Sequence, residues 1–413
     1  MRFGINTMDD IQVAGKTVLL RVDINQPIDH STGTLKDTTR VKACIPTIKE
    51  LSEKGAKLVL LAHQGSDIEY KNFYTTAPHA KVLSEFLGRE VKFIEDVCGP
   101  AALDAIKSLK DGEILLLDNV RYVSEEQTLF EMKLQLTHEQ QAKTLLVRKL
   151  APLADLYICD AFAAAHRDQP SLCGFQQVLP SAMGRLFEEE FCVISGLMES
   201  PQRPCVFILG GAKITDAFMM ISTVISRGIA DKVLVGGLVG QVLLWADGQE
   251  IGEPSREFIR KQGFEELVTD GVGLLEKYKE KIVLPTDFAY VKDEKRIECK
   301  IKDLPEGELV LDIGSETAKA YQKAILEAKT IFTNGPMGVF EQEPTELGTK
   351  MVWDALGETK GYTVIGGGDS NAATNKYKKT DLIDYTCTGG GALIRFLTGE
   401  ELPVVKALRF GSK

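Results

Sequence analysis

Short, unbroken apolar runs recur from one end of the chain to the other, and they constrain its fold more than any other feature. In the first half they are TVLLRVDI (17–24), KLVLLAH (57–63), VKFIED (91–96), ILLLDN (114–119) and DLYICDAF (155–162). In the second half they are PCVFILGG (204–211), DKVLVGG (231–237), KIVLPTDF (281–288), ELVLDIG (308–314), TIFTNG (330–335) and YTVIGGG (362–368). Their continuous Val/Ile/Leu character marks parallel strands covered on both faces, because a half-exposed strand would alternate. Amphipathic segments such as 38–55 and 315–329 lie between them. Strand–helix alternation on this scale predicts an α/β protein with doubly wound, mostly parallel sheets. An open sheet rarely exceeds ~10 strands, so two sheets of about six are expected.

A length of 413 residues agrees, being too long for one hydrophobic core. The divide is expected at 183/184: the helical stretch 181–200 runs out of the first half, and Pro201-Gln202-Arg203-Pro204 is no longer helical. Apolar residues make up 44% and charged residues 26%, ordinary values for a soluble globular chain. The net charge of −10 argues against a nucleic-acid partner. No apolar run approaches the ~20 residues that span a bilayer, and the acidic N-terminus is no secretory signal, so no membrane partner and a cytoplasmic location are expected. The eight cysteines form no CxxC pair and histidines number only five, so buried free thiols are expected and a zinc site is not.

The halves differ in chemistry. The first carries all the histidines and places arginines at strand ends; the second carries nearly every Gly-Gly cluster. Open α/β sheets hold ligands at the carboxyl ends of strands. Glycine turns there, at Gly210-Gly211, Gly236-Gly237, Gly366-Gly367-Gly368 and Gly389-Gly390-Gly391, let backbone amides approach a phosphate. One such turn serves structure more often than a ligand; four together point to a polyphosphate. GxxxxGK[ST] and GxGxxG are both missing, which weighs against a Walker-type NTPase and a dinucleotide oxidoreductase. Asp369 reads as a helix cap when taken alone, and as a Mg²⁺ contact beside a triphosphate. Lys213, after a Gly-Gly-Ala turn, is either a solvated charge or a phosphate contact. His63 is as readily a core histidine as a ligand contact.

In order and spacing, RVDINQP (21–27), LAHQG (61–65), LLDNVRY (116–122), DAFAAAHR (160–167), LGGAKITD (209–216), PTDF (285–288), DIGSET (312–317), TNGPMGVFE (333–341), IGGGDSNAA (365–373) and TGGGALIRFLTGEELP (388–403) resemble the phosphoglycerate kinases end to end, LAHQG being closer to archaeal members. The resemblance implies two Rossmann-like domains joined by a hinge. Residues 1–183 would hold 3-phosphoglycerate, with the tail 400–413 packing back on them, and residues 184–399 would hold MgATP or MgADP. It further implies substrate contacts from Asp23, Ile24, Asn25, Arg40, His63, Gln64, Gly65, Ser66, Arg121 and Arg167, with His166 a weaker candidate. Nucleotide contacts would come from Lys213, Glu341 (ribose hydroxyls), Gly366, Gly367, Gly368, Asp369 (also the metal) and Ser370, with Pro336 shaping the adenosine pocket. Arg40 and Lys213 would be catalytic. Two positions depart from the family pattern: Ser66 stands where many members carry an arginine, and Ala217 where bacterial and eukaryotic members often carry a lysine. The alternatives are a kinase for another anionic carboxylate and a nucleotide-binding protein without turnover. A monomer is expected, a homodimer being the other option.

Overall fold

The structure is a computed structural model that describes residues 1–29, 31–65, 73–131 and 134–412. The chain divides into two compact units, Met1–Cys192 with Glu401–Lys413, and Val193–Glu400. The boundary falls inside the helix Arg185–Glu199, whereas the sequence reading put it ahead of residue 184.

The first unit is built on a six-stranded sheet, wholly parallel, in the order Lys92–Ile94, Ile114–Leu117, Lys57–Leu61, Thr17–Arg21, Leu156–Cys159, Ser181–Met183. Strand residues Val18, Leu19, Leu20, Leu58, Val59 and Leu60 are fully buried, so successive side chains are covered on both faces. Chain order reverses between Thr17–Arg21 and Leu156–Cys159. The second unit repeats the plan with Tyr385–Thr386, Tyr362–Gly366, Thr330–Asn334, Cys205–Leu209, Lys232–Val235 and Ile282–Val283, also all parallel. Here order reverses between Cys205–Leu209 and Thr330–Asn334. Such reversals open a crevice at the strand ends, because the flanking connections depart in opposite directions.

Three features escaped the sequence reading. Residues 181–183 pair as an edge strand before their helix begins, and Tyr385–Thr386 is an edge strand too short to announce itself. The runs at 281–288 and 308–314 contribute to a separate antiparallel sheet, Lys295–Lys300, Asp287–Lys292 and Asp312–Ile313. Its outer strand, KRIECK, is polar and partly exposed, so it lacks the apolar signal.

The C-terminal helix Pro403–Gly411 lies in the first unit with Val404, Val405, Ala407 and Leu408 buried. The Ser412 hydroxyl accepts from the Asn6 amide at 2.8 Å, which ties the two chain ends together. The thiols of Cys44, Cys98, Cys159, Cys173, Cys205 and Cys387 are buried and free, and Cys192 and Cys299 are half-buried. No helix among the described residues is long and apolar enough to cross a membrane.

Asp160, at the carboxyl end of Leu156–Cys159, fixes the start of the helix Arg185–Glu199. Its Oδ1 accepts the amides of Leu186 and Phe187 at 2.9 and 3.2 Å. Burial pushes its pKa up to about 7 from an ordinary 3.8. Between these values the folded chain binds a proton that the unfolded chain has released, so this group's contribution to stability falls as pH rises and levels off above about 7. Asp160→Asn cannot ionise. The stability of the parent relative to this variant, from urea unfolding, should therefore decline from about pH 4 to about pH 7 and be flat above that. Parallel profiles for the two proteins would overturn the assignment.

Candidate active site

At the reversal in the first sheet, the strand Thr17–Arg21 delivers a buried arginine and then a polar loop. Asp23 is 5% exposed. It accepts the Asn25 amide at 3.1 Å and Arg40 Nη1 at 2.9 Å, so the half-exposed guanidinium of Arg40 is held from below. Asn25 and Gly65 clasp each other: Gly65 N–H donates to Asn25 Oδ1 at 3.0 Å, and Asn25 Nδ2 donates to Gly65 O at 3.2 Å. Gln64 makes a similar reciprocal pair with the backbone of Gln26, at 2.9 and 3.2 Å. Arg121, on the short turn Val120–Tyr122, donates Nη1 to Gly65 O at 2.6 Å.

His63 lies among these groups, 3% exposed. Burial and the positive charges of Arg21, Arg121, Arg167 and Arg40 hold its pKa well below the ordinary value, so the ring is neutral. Arg21 Nη2 lies 3.1 Å from His63 Nδ1. A guanidinium can only donate, so Nδ1 accepts and the ring proton sits on Nε2. His63 is thereby a fixed N–H donor inside a basic cluster. Ile24 has its side chain in the apolar core and can offer only backbone. Ser66 lies outside the described residues.

The second unit has a pocket of about 300 Å³ at the reversal of its own sheet. Leu238, Val310, Leu311 and Val339 supply apolar wall, and the carboxylates of Glu341 and Asp369 supply the charge. Several of the glycines serve backbone contact. A Cβ on Gly210 would sit 2.1 Å from Pro336 O, and one on Gly335 would sit 2.2 Å from Gly210 O. Those two loops are joined by Gly210 N–H to Asn334 O at 2.9 Å and Gly211 N–H to Pro336 O at 2.8 Å. A Cβ on Gly366 would strike the Leu393 side chain. By contrast Gly368, where a Cβ would meet nothing within 4 Å, leaves open backbone at the start of the helix Gly368–Lys376, while Gly367, with φ +95°, faces the Asn334 amide, whose Oδ1 would lie 3.3 Å from a Cβ. Ser370 is buried, and its hydroxyl accepts the Gly335 amide at 2.7 Å, holding the loop of TNGPMG. Lys213 is exposed and immediately precedes the helix Ile214–Ser226; it follows Ala212, which lines the pocket, but does not itself line it.

Residues 8–400 match the family model described as phosphoglycerate kinase. The chain is 46% identical over 406 residues to the phosphoglycerate kinase of Methanothermobacter thermautotrophicus, covering 98% of this chain and 97% of that one. The chain belongs to the phosphoglycerate kinase family. It is similar to the crystal structure of the phosphoglycerate kinase of Pyrococcus horikoshii, with a TM-score of 0.88 and 39% identity over 98% of this chain and 99% of that one. The corresponding values for the Coxiella burnetii structure are 0.83 and 29%, over 99% and 100%. The relatives are mostly archaeal, in agreement with LAHQG.

In this member of the phosphoglycerate kinase family the geometry adds residues that the sequence reading passed over. Asn119 orders the loop after its strand: its Nδ2 donates to Gln64 O at 2.7 Å, and its Oδ1 accepts the Arg121 amide at 3.1 Å. Asn334 has a buried Nδ2 with no partner and stands beside the Gly367 turn. Arg21 donates Nε to the Ser171 hydroxyl at 2.9 Å, and that hydroxyl donates to Glu126 at 2.5 Å. All three residues sit inside quoted motifs, but nothing in a string of letters separates them from their neighbours. Ala217, where a lysine is common, is 3% exposed on the packed face of its helix.

Because Arg21 and Glu126 are fully buried, removing one leaves the other without its counter-charge. Arg21→Leu should cost roughly 3–5 kcal/mol in urea unfolding, and adding Glu126→Leu should restore part of it. A double variant no more stable than Arg21→Leu would show that the two charges are not coupled.

Proposed function

We propose that the chain catalyses reversible phosphoryl transfer between ATP and the carboxylate of 3-phosphoglycerate, giving ADP and 1,3-bisphosphoglycerate, in glycolysis or gluconeogenesis in the cytoplasm. The observation that carries this reading is the cluster of arginines around a neutral His63, at a sheet reversal in a chain of this family. Such a cluster suits a small, multiply charged anion. Arg40, Arg121 and Arg167 offer charge, and His63 offers a directed Nε2–H.

On the nucleotide side, the apolar pocket suits a purine, Glu341 the ribose hydroxyls, and the open turn Gly367–Gly368 the phosphates, which the helix start favours. Asp369, exposed on the first helical turn and lining the same pocket, is one carboxylate beside the phosphate path. That donor set fits magnesium, which keeps several waters and binds through one or two carboxylates plus phosphate. When bound, magnesium neutralises charge on the phosphate oxygens.

The nucleophile is a carboxylate already ionised at neutral pH, so no general base is required. The difficulty is bringing it against a polyanion, and catalysis rests on position and charge. Lys213 and Arg40 carry that work, assisted by backbone amides at 366–370 and 388–392. Water would intercept the phosphoryl group and hydrolyse the acyl phosphate, so the reading requires hinge closure of the two units before transfer.

Activity is tested in a coupled assay with 3-phosphoglycerate, MgATP and glyceraldehyde-3-phosphate dehydrogenase; no turnover overturns the proposal. Lys213→Ala should lower kcat by about 10²-fold or more while nucleotide binding is largely kept. Unchanged kcat removes Lys213 from the chemistry. Arg167→Ala should raise the KM for 3-phosphoglycerate more than that for ATP, and the reverse ordering would mean that the substrates are assigned to the wrong units.

A further inference from the structure

One group of side chains in the first unit has no part in the reading above. His138 opens the helix His138–Gln141, and Asp168 and Cys173 flank the bend after Arg167. A ring nitrogen of His138, a carboxylate oxygen of Asp168 and Cys173 Sγ all lie within 4.8 Å of one another. His138 Nε2 is 3.4 Å from Asp168 Oδ1. The edge of a zinc tetrahedron is roughly 3.3 Å when metal–ligand bonds are near 2.0–2.1 Å, so these two donors already stand at coordination spacing. The sulfur, up to 4.8 Å from them, would move in by about 1 Å at most to reach the ~3.6 Å edge set by a zinc–sulfur bond of about 2.3 Å.

A second observation points the same way. Gln141, 1% exposed, donates Nε2 to Asp168 Oδ1 at 2.5 Å, while its Oε1 is buried with no hydrogen-bond partner. Rotating the amide would set Oε1 against the carboxylate, a repulsive contact unless a cation lies between them. Only in that rotated form would the unpartnered Oε1 face the site and add a further ligand. Access exists, because His138 and Asp168 line a cavity of about 530 Å³.

We propose that His138, Asp168 and Cys173 form a site for a thiophilic dication, zinc by its donor set, whose occupation is felt at Arg167. One carboxylate and one thiolate balance a charge of +2. Nitrogen and sulfur donors select zinc over magnesium or calcium, which take oxygen. Lys406 and Arg409 line the same cavity and disfavour a loosely held, hydrated dication, so retention depends on the thiolate. His138 binds as neutral imidazole through Nε2, its proton resting on Nδ1, and the Cys173 proton leaves to solvent. That thiol now donates to the Arg167 carbonyl at 3.8 Å, a bond that metallation removes. The effect on substrate rests on the reading of Arg167 as a 3-phosphoglycerate contact.

Titration of the full chain with Co²⁺ tests the site, because a cobalt–thiolate bond gives a charge-transfer band in the near ultraviolet. The band should appear, saturate at one metal per chain and be displaced by Zn²⁺. It should vanish in Cys173→Ser and in His138→Ala, and persist in Cys192→Ser. No band in the parent, or a band that survives both Cys173→Ser and His138→Ala, overturns the site. In the assay, Zn²⁺ should raise the KM for 3-phosphoglycerate several-fold in the parent and not in His138→Ala. A cobalt band with an unchanged KM overturns the link to Arg167. A chain inactive on 3-phosphoglycerate strikes the substrate assignment instead, since the band is read without substrate.

Discussion

A guanidinium buried at the end of a strand governs the basic site. Taking Arg21 out of water costs several kcal/mol unless its charge and donors are met inside. They are met by Ser171 and, through it, by Glu126, whose own pKa burial raises and Arg21 pulls back. The compensation is local: Nε meets Ser171, Nη1 donates to the Val22 carbonyl at 2.5 Å, and Arg21 turns Nη2 to His63. That bond decides which ring nitrogen carries the proton. Without it, His63 among arginines would be free to present a lone pair to the solvent side, where an anion would be repelled. The tautomer of one residue is thus settled two residues deeper, by a serine and a glutamate that touch no ligand.

The same economy appears in the motif carboxylates. Asp287 of PTDF accepts the amides of Glu316 and Thr317 at 3.0 and 2.8 Å, starting the helix Ser315–Glu327. Asp312 of DIGSET pairs with Arg296 and accepts the Gly348 amide at 2.7 Å. Asp118 of LLDNVRY accepts the Thr76 and Asn119 amides, each at 2.8 Å. Acids at strand ends could pass for general bases or metal ligands. These are instead anchors that satisfy orphan amides at helix and turn starts, which would otherwise lack partners. Loops so anchored place donors without paying for ordering when a ligand arrives.

This explains what was legible in the sequence. Strands with both faces covered read as apolar runs, so the two parallel sheets were visible, and so was the expectation that ligand groups cluster at their ends. The polar strand Lys295–Lys300 was invisible because its ladder is held by backbone pairs to Asp287–Lys292 and needs no apolar side chains. Glycine was only half legible. At Gly210 and Gly335 it exists because two loops touch backbone to backbone, and at Gly368 it leaves space open. Both situations select the same residue, so no count of glycines could tell them apart. The donors of His138, Asp168 and Cys173 were likewise hidden: their separations along the chain follow no metal-ligand spacing, and it takes the bend after Arg167 and the packing of His138–Gln141 against Pro170–Cys173 to bring them together.

The charge distribution closes the physical case for a local recognition device. A chain of net charge −10 repels anions at long range, yet the substrates proposed for it are all anionic. Screening limits that repulsion to a Debye length of ~8 Å at physiological ionic strength, so within the site the nearest groups decide. There the first unit presents arginines with their counter-charges, Glu126 and Asp23, set behind them. The open turn of the second unit presents amides, which are polar but carry no net charge. Cations suit a ligand that must be captured from solution. Amides suit one that arrives with its own metal, which already neutralises part of the charge on the phosphate oxygens. Ala217, buried on the packed face of the helix after Lys213, adds no charge there.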